Sequence, residues 1–158
     1  MPFLLRHPAH FLAQGFGTGL SPVAPGTVGT LVAWPIAWLL DAHVDTAGWI
    51  AALVVVTLAG TWSARVTSRA LGVADHRSIV IDEIAAFLLV LFVAGPGTGR
   101  QVLAFALFRF FDIVKPPPIR QVDRHMKNAV GVMADDFLAA FYALIVLALV
   151  VRVARLAS

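Results

Sequence analysis

The acidic residues of this sequence are concentrated where apolar segments begin or end. Five of the nine occupy such positions: Asp82, Glu83, Asp112, Asp135 and Asp136. Ionisable groups inside apolar segments are costly and mark functional sites. The chain has no cysteine, and its histidines fall outside the apolar segments. Carboxylate oxygens without thiol or clustered imidazole ligands favour a hard cation, so the sequence predicts Mg²⁺ rather than Zn²⁺.

We predict that all five carboxylates are catalytic, with Asp82, Glu83, Asp135 and Asp136 as the metal ligands that also position water. Asp112 is either a further ligand or the partner that orients Arg109, which lies three residues earlier and so shares a helix face. Attack by a carboxylate and attack by metal-activated water both remain open. The alternative is that the acids only stabilise helix starts, with Asp135 as an N-cap.

Phosphate is the group that the neighbouring residues are suited to bind. Arg109, Lys115 and Arg120 could clamp phosphate oxygens. Residues 15–30 contain five glycines and two prolines, which predicts irregular backbone whose amides can approach an anion. The candidate contacts there are Gly17, Thr18, Ser21, Gly26 and Thr27, with Thr27 also predicted as the N-cap of the following helix. No lysine stands where a nucleotide-binding loop needs one, so a connecting or re-entrant loop is the alternative.

The elements that position these residues are predicted from composition. Apolar residues make up 59% of the 158 and charged residues 13%, against about 25% charged in typical globular proteins. Too few polar residues remain to coat a soluble helical bundle, which is the alternative fold. We therefore predict a single domain over 1–158, an all-α polytopic membrane bundle with a Gly/Pro-rich N-terminal loop. It has four to five short transmembrane helices, extended by their polar ends, on the apolar runs 27–40, 47–62, 79–94, 102–114 and 137–151.

The charged loops predict an orientation in the membrane. Basic residues in segments 65–78 and 115–134 place those segments in the cytoplasm, and the acidic connector 41–46 lies outside. All five carboxylates then lie at cytoplasmic helix ends. Arg152 and Arg155 would lie outside in a five-span arrangement, which counts against that number. We expect no cleavable signal peptide and no nucleic-acid binding, because the basic residues do not form one stripe. Four charged or titratable residues of the adjoining loops are predicted to be surface residues, with a role in the site as the alternative: Asp75, His76, Asp123 and His125.

Four motifs carry a resemblance to a known family. They are Gly15–Pro22 followed by Pro25-Gly26-Thr27, then Ile81-Asp82-Glu83, then Phe108–Ile119, which includes Pro116-Pro117-Pro118, and then Gly131–Asp136. In this order the chain resembles the phosphatidylglycerophosphatase A family. The resemblance implies a multi-pass enzyme of the bacterial inner membrane, which uses Mg²⁺ to hydrolyse the phosphate monoester of phosphatidylglycerophosphate to phosphatidylglycerol.

Two other function classes are also compatible with the sequence. A transporter or proton relay would also bury Asp and Arg, but it predicts charges near the middle of the membrane. A lipid-headgroup transferase with paired metals would concentrate its acids in one segment, whereas this chain spreads them over three. If the substrate is the phosphatidylglycerophosphate that the resemblance implies, its internal phosphodiester would be held by Arg120, Arg124 or Lys127. The sequence leaves the oligomeric state open.

Overall fold

A computed structural model describes residues 2–73, 76–126 and 128–157, and regular structure in these ranges is entirely helical. This confirms the all-α class. Short 3₁₀ helices span Phe3–Leu5 and Gly15–Leu20. The α-helices are α1 (Pro8–Ala13), α2 (Pro25–Leu31), α3 (Ala33–His43), α4 (Thr46–Leu71), α5 (Ile81–Ala94), α6 (Thr98–Val114), α7 (Ile119–His125) and α8 (Ala129–Ala157).

Helix α5 lies at the centre of the bundle. It is apolar on all sides after its first turn, a pattern typical of a helix surrounded by protein. Ten of its fourteen residues are buried, and it packs against α2, α3, α4, α6 and α8. The ring of Phe87 contacts those of Trp34, Phe105 and Phe108, with centroids 5.2–5.5 Å apart. This packing fixes the start of α5 relative to its neighbours.

The start of α8 lies beside the ends of α5 and α6 that carry charge. Alanines 139, 140 and 143 of α8 are fully buried, and such small side chains allow helices to approach closely. Helix α6 ends at Val114, directly before Lys115 and the three prolines, as the missing proline donors predict. The hydroxyl of Tyr142 on α8 donates to the carbonyl of Pro117 at 3.1 Å and ties this connection to α8.

Two described helices are long and apolar enough to cross a membrane, α4 with 26 residues and α8 with 29. Both extend beyond their apolar runs over polar residues, as predicted. Helix α5 has 14 residues, a length of about 21 Å, against roughly 30 Å for the hydrocarbon layer. The prediction of four to five spans is therefore not confirmed. Exposed apolar residues cover α4 and α8, among them Val54, Val55, Leu58, Phe141, Ile145 and Leu149.

The glycine-rich segment begins with the irregular backbone that the sequence predicts. Within the 3₁₀ segment Gly15–Leu20, the first three residues have positive φ, 54° at Gly15, 60° at Phe16 and 99° at Gly17. Helix α2 then begins at Pro25, since proline is pre-organised for a first helical position. The residue before it is Ala24 with φ of 45°, so Thr27 lies inside the helix and its prediction as the N-cap was wrong.

Candidate active site

The five predicted carboxylates line one cavity of about 270 Å³. Asp82 and Glu83 come from the start of α5, Asp112 from the end of α6, and Asp135 and Asp136 from the second turn of α8. Arg77, Arg109, Lys115 and Gly26 also line it. Each of the four aspartates is buried, with 7% exposure or less. The structure thus brings together acids that are more than fifty residues apart in the sequence.

Asp82 and Glu83 lie in the first turn of α5, which begins at Ile81 after Val80. The helix therefore starts later than the apolar run, and the acids are near the helix end instead of one turn inside it. Asp82 Oδ1 accepts a hydrogen bond from the Glu83 amide at 3.0 Å. Consecutive residues project about 100° apart on a helix, so only a position near its end lets both face one cavity.

Arg109 connects α6 to two other elements. Its Nη1 lies 2.6 Å from Asp112 Oδ2, which confirms that the pair shares a helix face. The same nitrogen lies 3.1 Å from Glu83 Oε1 and 3.4 Å from Thr30 Oγ1 of α2. Arg109 Nε is buried and has no hydrogen-bond partner among the residues that the structure describes. Arg109 is thus held by acidic side chains, and its contact with Asp112 is compatible with the prediction that Asp112 orients it.

Asp135 and Asp136 lie two turns inside α8, because that helix begins at Ala129. Its first amides are capped by Asn128 Oδ1, which accepts from Val130 at 3.0 Å and Gly131 at 2.9 Å. The alternative of Asp135 as an N-cap was therefore wrong. A charge two turns from the helix end gains little from the helix dipole, so helix capping does not explain why these aspartates are buried.

Lys115 follows α6 with a left-handed φ of 46° and points its ammonium toward α8. Its Nζ contacts Asp135 Oδ2 and lies 3.0 Å from Asp123 Oδ1 on α7. Burial by itself would lower the pKa of Lys115, but hydrogen bonds and charge attraction from Asp135 and Asp123 outweigh it and raise the pKa above its usual range. Lys115 therefore stays charged at neutral pH.

The donor set of the cavity fits a hard cation. Five carboxylates face three basic side chains, which leaves negative charge in excess. Asp135 Oδ1 is buried and accepts no hydrogen bond from any described residue. Within the described residues, no group of three acidic or histidine side chains is arranged around one point as metal ligands. Magnesium does not require such a group, because it commonly binds one or two carboxylates together with waters and substrate phosphate.

Comparison with known proteins identifies the relatives of this chain. Residues 11–151 match the family model described as Phosphatidylglycerophosphatase A. The chain belongs to the phosphatidylglycerophosphatase A family. No solved structure matches it.

Three curated relatives cover most of the chain. A protein of Haemophilus influenzae named Phosphatidylglycerophosphatase A is 43% identical over 144 residues, which cover 90% of this chain and 88% of the relative. The Escherichia coli protein of that name is 37% identical and covers 85% of this chain and 78% of its own length. A Bacteroides thetaiotaomicron protein named "Putative phosphatidylinositol-3-phosphatase" is 41% identical, with coverages of 87% and 89%.

The other predicted phosphate-binding residues of this family member differ in whether they line the cavity. Gly26 lines it, whereas Gly17, Thr18, Ser21, Thr27 and Arg120 do not. Thr18 Oγ1 donates to the Gly15 carbonyl at 2.7 Å, and Ser21 Oγ to the Val23 carbonyl at 2.8 Å. Arg120 is exposed, with its Nη2 3.4 Å from the Val114 carbonyl. Substrate binding by these five residues stays a prediction, and Lys127 and Asp75 lie outside the described residues.

Two charged residues were missed as parts of the site. Arg77 lines the cavity, and its position five residues before Asp82 was the available signal. Asp123 was predicted to be a surface residue, but it pairs with Lys115. Its spacing of eight residues from Lys115 across three prolines gave no indication of this contact. Arg77 makes no salt bridge to any residue in the described ranges, so it is the basic group most open to an incoming anion.

The glycines beside the cavity permit close packing against the start of α5. A Cβ at Gly26 would lie 2.0 Å from Glu83 Oε1, and one at Gly19 would lie 2.1 Å from the Ser78 carbonyl oxygen. A Cβ at Gly29 would lie 2.7 Å from the Val80 side chain. Each of these distances is shorter than a van der Waals contact. The glycines therefore allow the 3₁₀ helix and α2 to approach the acids, which is a different role from the predicted phosphate cradle.

Proposed function

We propose that the chain is a Mg²⁺-dependent phosphatase of phospholipid biosynthesis, which hydrolyses the phosphate monoester of phosphatidylglycerophosphate to phosphatidylglycerol and inorganic phosphate. The observation that carries the proposal is the cavity itself, in which five acids from three helices meet Arg77, Arg109 and Lys115. The two relatives named Phosphatidylglycerophosphatase A support the choice of substrate.

The charge balance of the cavity explains why a cation is needed. A phosphate monoester carries close to two negative charges near neutrality, and five carboxylates against three basic groups would repel it. Asp82, Glu83, Asp135 and Asp136 would hold Mg²⁺ in this proposal. The ion supplies a Lewis acid that neutralises charge on the phosphoryl oxygens.

The protein's own groups position the phosphate and move protons. Arg77 receives the monoester at the cavity, while Arg109 and Lys115 hold Glu83, Asp112 and Asp135 in place. Water adds to phosphorus as the ester P–O bond breaks, and the departing glycerol oxygen takes up a proton. A carboxylate of the cavity accepts the proton that the attacking water loses. Direct attack on phosphorus by one of these carboxylates is the alternative route to the same products.

The other function classes fit the geometry less well. A proton relay needs charges along the interior of the bundle, but these acids lie at one end of α5 and of α6. A paired-metal transferase would present its acids on one helix. The Bacteroides relative, by its name, acts on a different lipid monoester, so the substrate is the part of the proposal that needs a direct comparison.

Substrate choice can be tested with two lipids that differ in the spacer between phosphate and acyl chains. Phosphatidylglycerophosphate has a glycerol and a phosphodiester there, and phosphatidic acid has neither. We expect kcat/KM to be at least about 10-fold higher for phosphatidylglycerophosphate, since a remote contact of about 1.4 kcal/mol gives that factor. The preference should shrink in the Arg120→Ala/Arg124→Ala variant, because both arginines are exposed on α7, which packs against α8. Equal kcat/KM for the two lipids would show that the second phosphate is not recognised.

The close approach of Gly26 to Glu83 predicts a second effect. In Gly26→Ala the new methyl group must displace Glu83 or shift α2, and overpacking of this kind costs about 1–3 kcal/mol. We expect kcat/KM for phosphatidylglycerophosphate to fall about 10-fold or more. The matched control is Gly99→Ala on α6, where a Cβ meets nothing within 4 Å. Equal activities of the two variants would show that the position of Glu83 does not matter.

We further propose that the chain is a multi-pass protein of the bacterial inner membrane with the cavity facing the cytoplasm. The support is the pair of long apolar helices and the basic residues near the cavity.

The chain has no cysteine, so single cysteines can be labelled without background. Arg124→Cys should react with an impermeant maleimide only from the cytoplasmic side, and Thr46→Cys only from the outside. Ser78 is unsuitable because it is buried and bonded to Gln14 at 3.2 Å. Labelling of both cysteines from one side would contradict this orientation.

A further inference from the structure

A second and larger cavity lies outside the candidate active site, between the last turns of α4 and the start of α8. It has a volume of about 770 Å³, close to the upper part of the range for small-molecule sites. Its lining, which we call the α4–α8 groove, includes Leu58, Trp62, Arg65, Arg69, Asn128 and Val130. None of the five candidate catalytic acids lines it. We propose that this groove binds an anionic phospholipid as a site separate from the catalytic cavity.

The polar end of the groove is suited to a phosphodiester. Arg65 and Arg69 are four residues apart on α4, so their guanidinium groups lie on one face one turn apart. Both are exposed, and neither forms a salt bridge with any residue that the structure describes. A guanidinium can donate two parallel hydrogen bonds to phosphate oxygens. Two such groups side by side therefore favour an anion over the zwitterionic headgroups in which an ammonium offsets the phosphate.

The other end of the groove is suited to an acyl chain. Below Arg65, the same face of α4 carries Trp62, Leu58 and Val54, at intervals of three and four residues. An apolar cleft lined by Val54, Leu58 and Phe137 continues from the groove, because Leu58 lines both. From Arg65 to Val54 the helix rises about 16 Å, which matches one leaflet of a hydrocarbon layer roughly 30 Å thick.

The arrangement of charge and apolar surface selects a lipid as the occupant. Trp62 lies one turn from Arg65, and tryptophan is enriched where a membrane meets water. Its side chain is about half exposed, as are Val54 and Leu58. α4 is also one of the two helices able to cross a membrane. A soluble anion would contact only the arginines, whereas one anionic phospholipid can contact the arginines with its headgroup and the apolar stripe with an acyl chain.

The test measures which lipid the purified full-length protein retains from an equimolar mixture of phosphatidylserine and phosphatidylcholine, by native mass spectrometry. Phosphatidylserine is anionic and is neither substrate nor product of the proposed reaction. We expect the wild type to retain it over phosphatidylcholine by about 10-fold. The Arg65→Gln/Arg69→Gln variant should lose most of this preference, and Arg65→Lys/Arg69→Lys should keep part of it. The matched control Arg152→Gln/Arg155→Gln removes two charges at the far end of α8 and should keep all of it.

Two further measurements distinguish lipid binding in the groove from lipid binding in the catalytic cavity and from a folding defect of the variants. Asp136→Asn alters the cavity only, so it should retain the wild-type preference whether or not the proposed phosphatase reaction is correct. In the unaltered protein, brominated phosphatidylserine should quench tryptophan fluorescence more than brominated phosphatidylcholine, and Trp62→Phe should remove that difference. Loss of preference in Asp136→Asn would overturn the proposal, as would equal loss in the two double glutamine variants. A wild type that does not distinguish the lipids would overturn it as well.

Discussion

Asp136→Asn and Asp82→Asn are each expected to lower kcat by about 10³-fold or more, while the proteins still fold and purify. Both aspartates are buried in the cavity with 5% exposure or less. Asparagine keeps the size of the side chain but loses the negative charge that would hold Mg²⁺ and accept a proton. A contact that serves the chemical step affects kcat strongly, and a factor of 10³ corresponds to about 4 kcal/mol of lost transition-state stabilisation.

Thermal stability gives this prediction a second readout. Asp136 shares the cavity with Asp82, Asp112 and Asp135, so removing its charge relieves repulsion between buried acids. We therefore expect the Tm of Asp136→Asn to equal or exceed that of the wild type.

The matched control for kcat is Asp41→Asn. Asp41 is exposed and does not line the cavity, so this variant should keep near-normal kcat. If Asp136→Asn kept wild-type kcat, Asp136 would not be a metal ligand or a base.

The convergence of the acids could be predicted because each carries its own local signal. Charges inside apolar segments are costly and therefore rare, and the prolines after Lys115 fix the end of α6 next to Asp112. Successive membrane-spanning helices are expected to run in opposite directions. With that expectation, the positions of the five acids along their apolar segments predict that all five lie at one end of the bundle. The structure places them there, although only two described helices meet the length requirement for a span.

Contacts between distant segments could not be predicted in the same way. Sequence spacing places Arg109 with Asp112, but the pairing of Arg109 with Glu83 depends on how α5 packs against α6. The pairing of Lys115 with Asp123 depends on the path of the chain through the three prolines. Because both pairings engage Arg109 and Lys115 with acids, fewer basic groups are open to phosphate than the number of basic residues near the cavity suggests. Arg77 is therefore the basic residue that we expect to contact the phosphate.

The glycine-rich segment shows a different limit. Its composition is compatible with a phosphate loop and with close helix packing, because both require the absence of a side chain. The distances from Gly19, Gly26 and Gly29 to the start of α5 show the close packing, whereas phosphate binding by this segment stays a prediction. The central helix α5 illustrates a related ambiguity. An apolar run of its length is equally consistent with a buried core helix and with a short span. Burial of ten of its fourteen residues shows that α5 is surrounded by the other helices of the protein.

Removal of divalent metal is the second change for which we expect a complete loss of activity. The cavity has an excess of carboxylates over basic groups, and within the described part of the chain Asp135 Oδ1 has no hydrogen-bond partner. Without a cation this surface should repel a dianionic phosphate. Chelation should therefore abolish turnover in the wild type, and added Mg²⁺ should restore it. The Tm should rise on adding Mg²⁺ to the stripped wild type, because a ligand that binds only the folded state stabilises it, and rise less in Asp136→Asn.

The most direct test of the proposed function is the release of inorganic phosphate from phosphatidylglycerophosphate by the purified protein, first stripped of metal with a chelator and then supplied with Mg²⁺. We expect no release from the stripped protein. After Mg²⁺ is restored, we expect one phosphate and one phosphatidylglycerol per substrate consumed. Undiminished release in excess chelator, or no release with Mg²⁺ present, would contradict the proposed function.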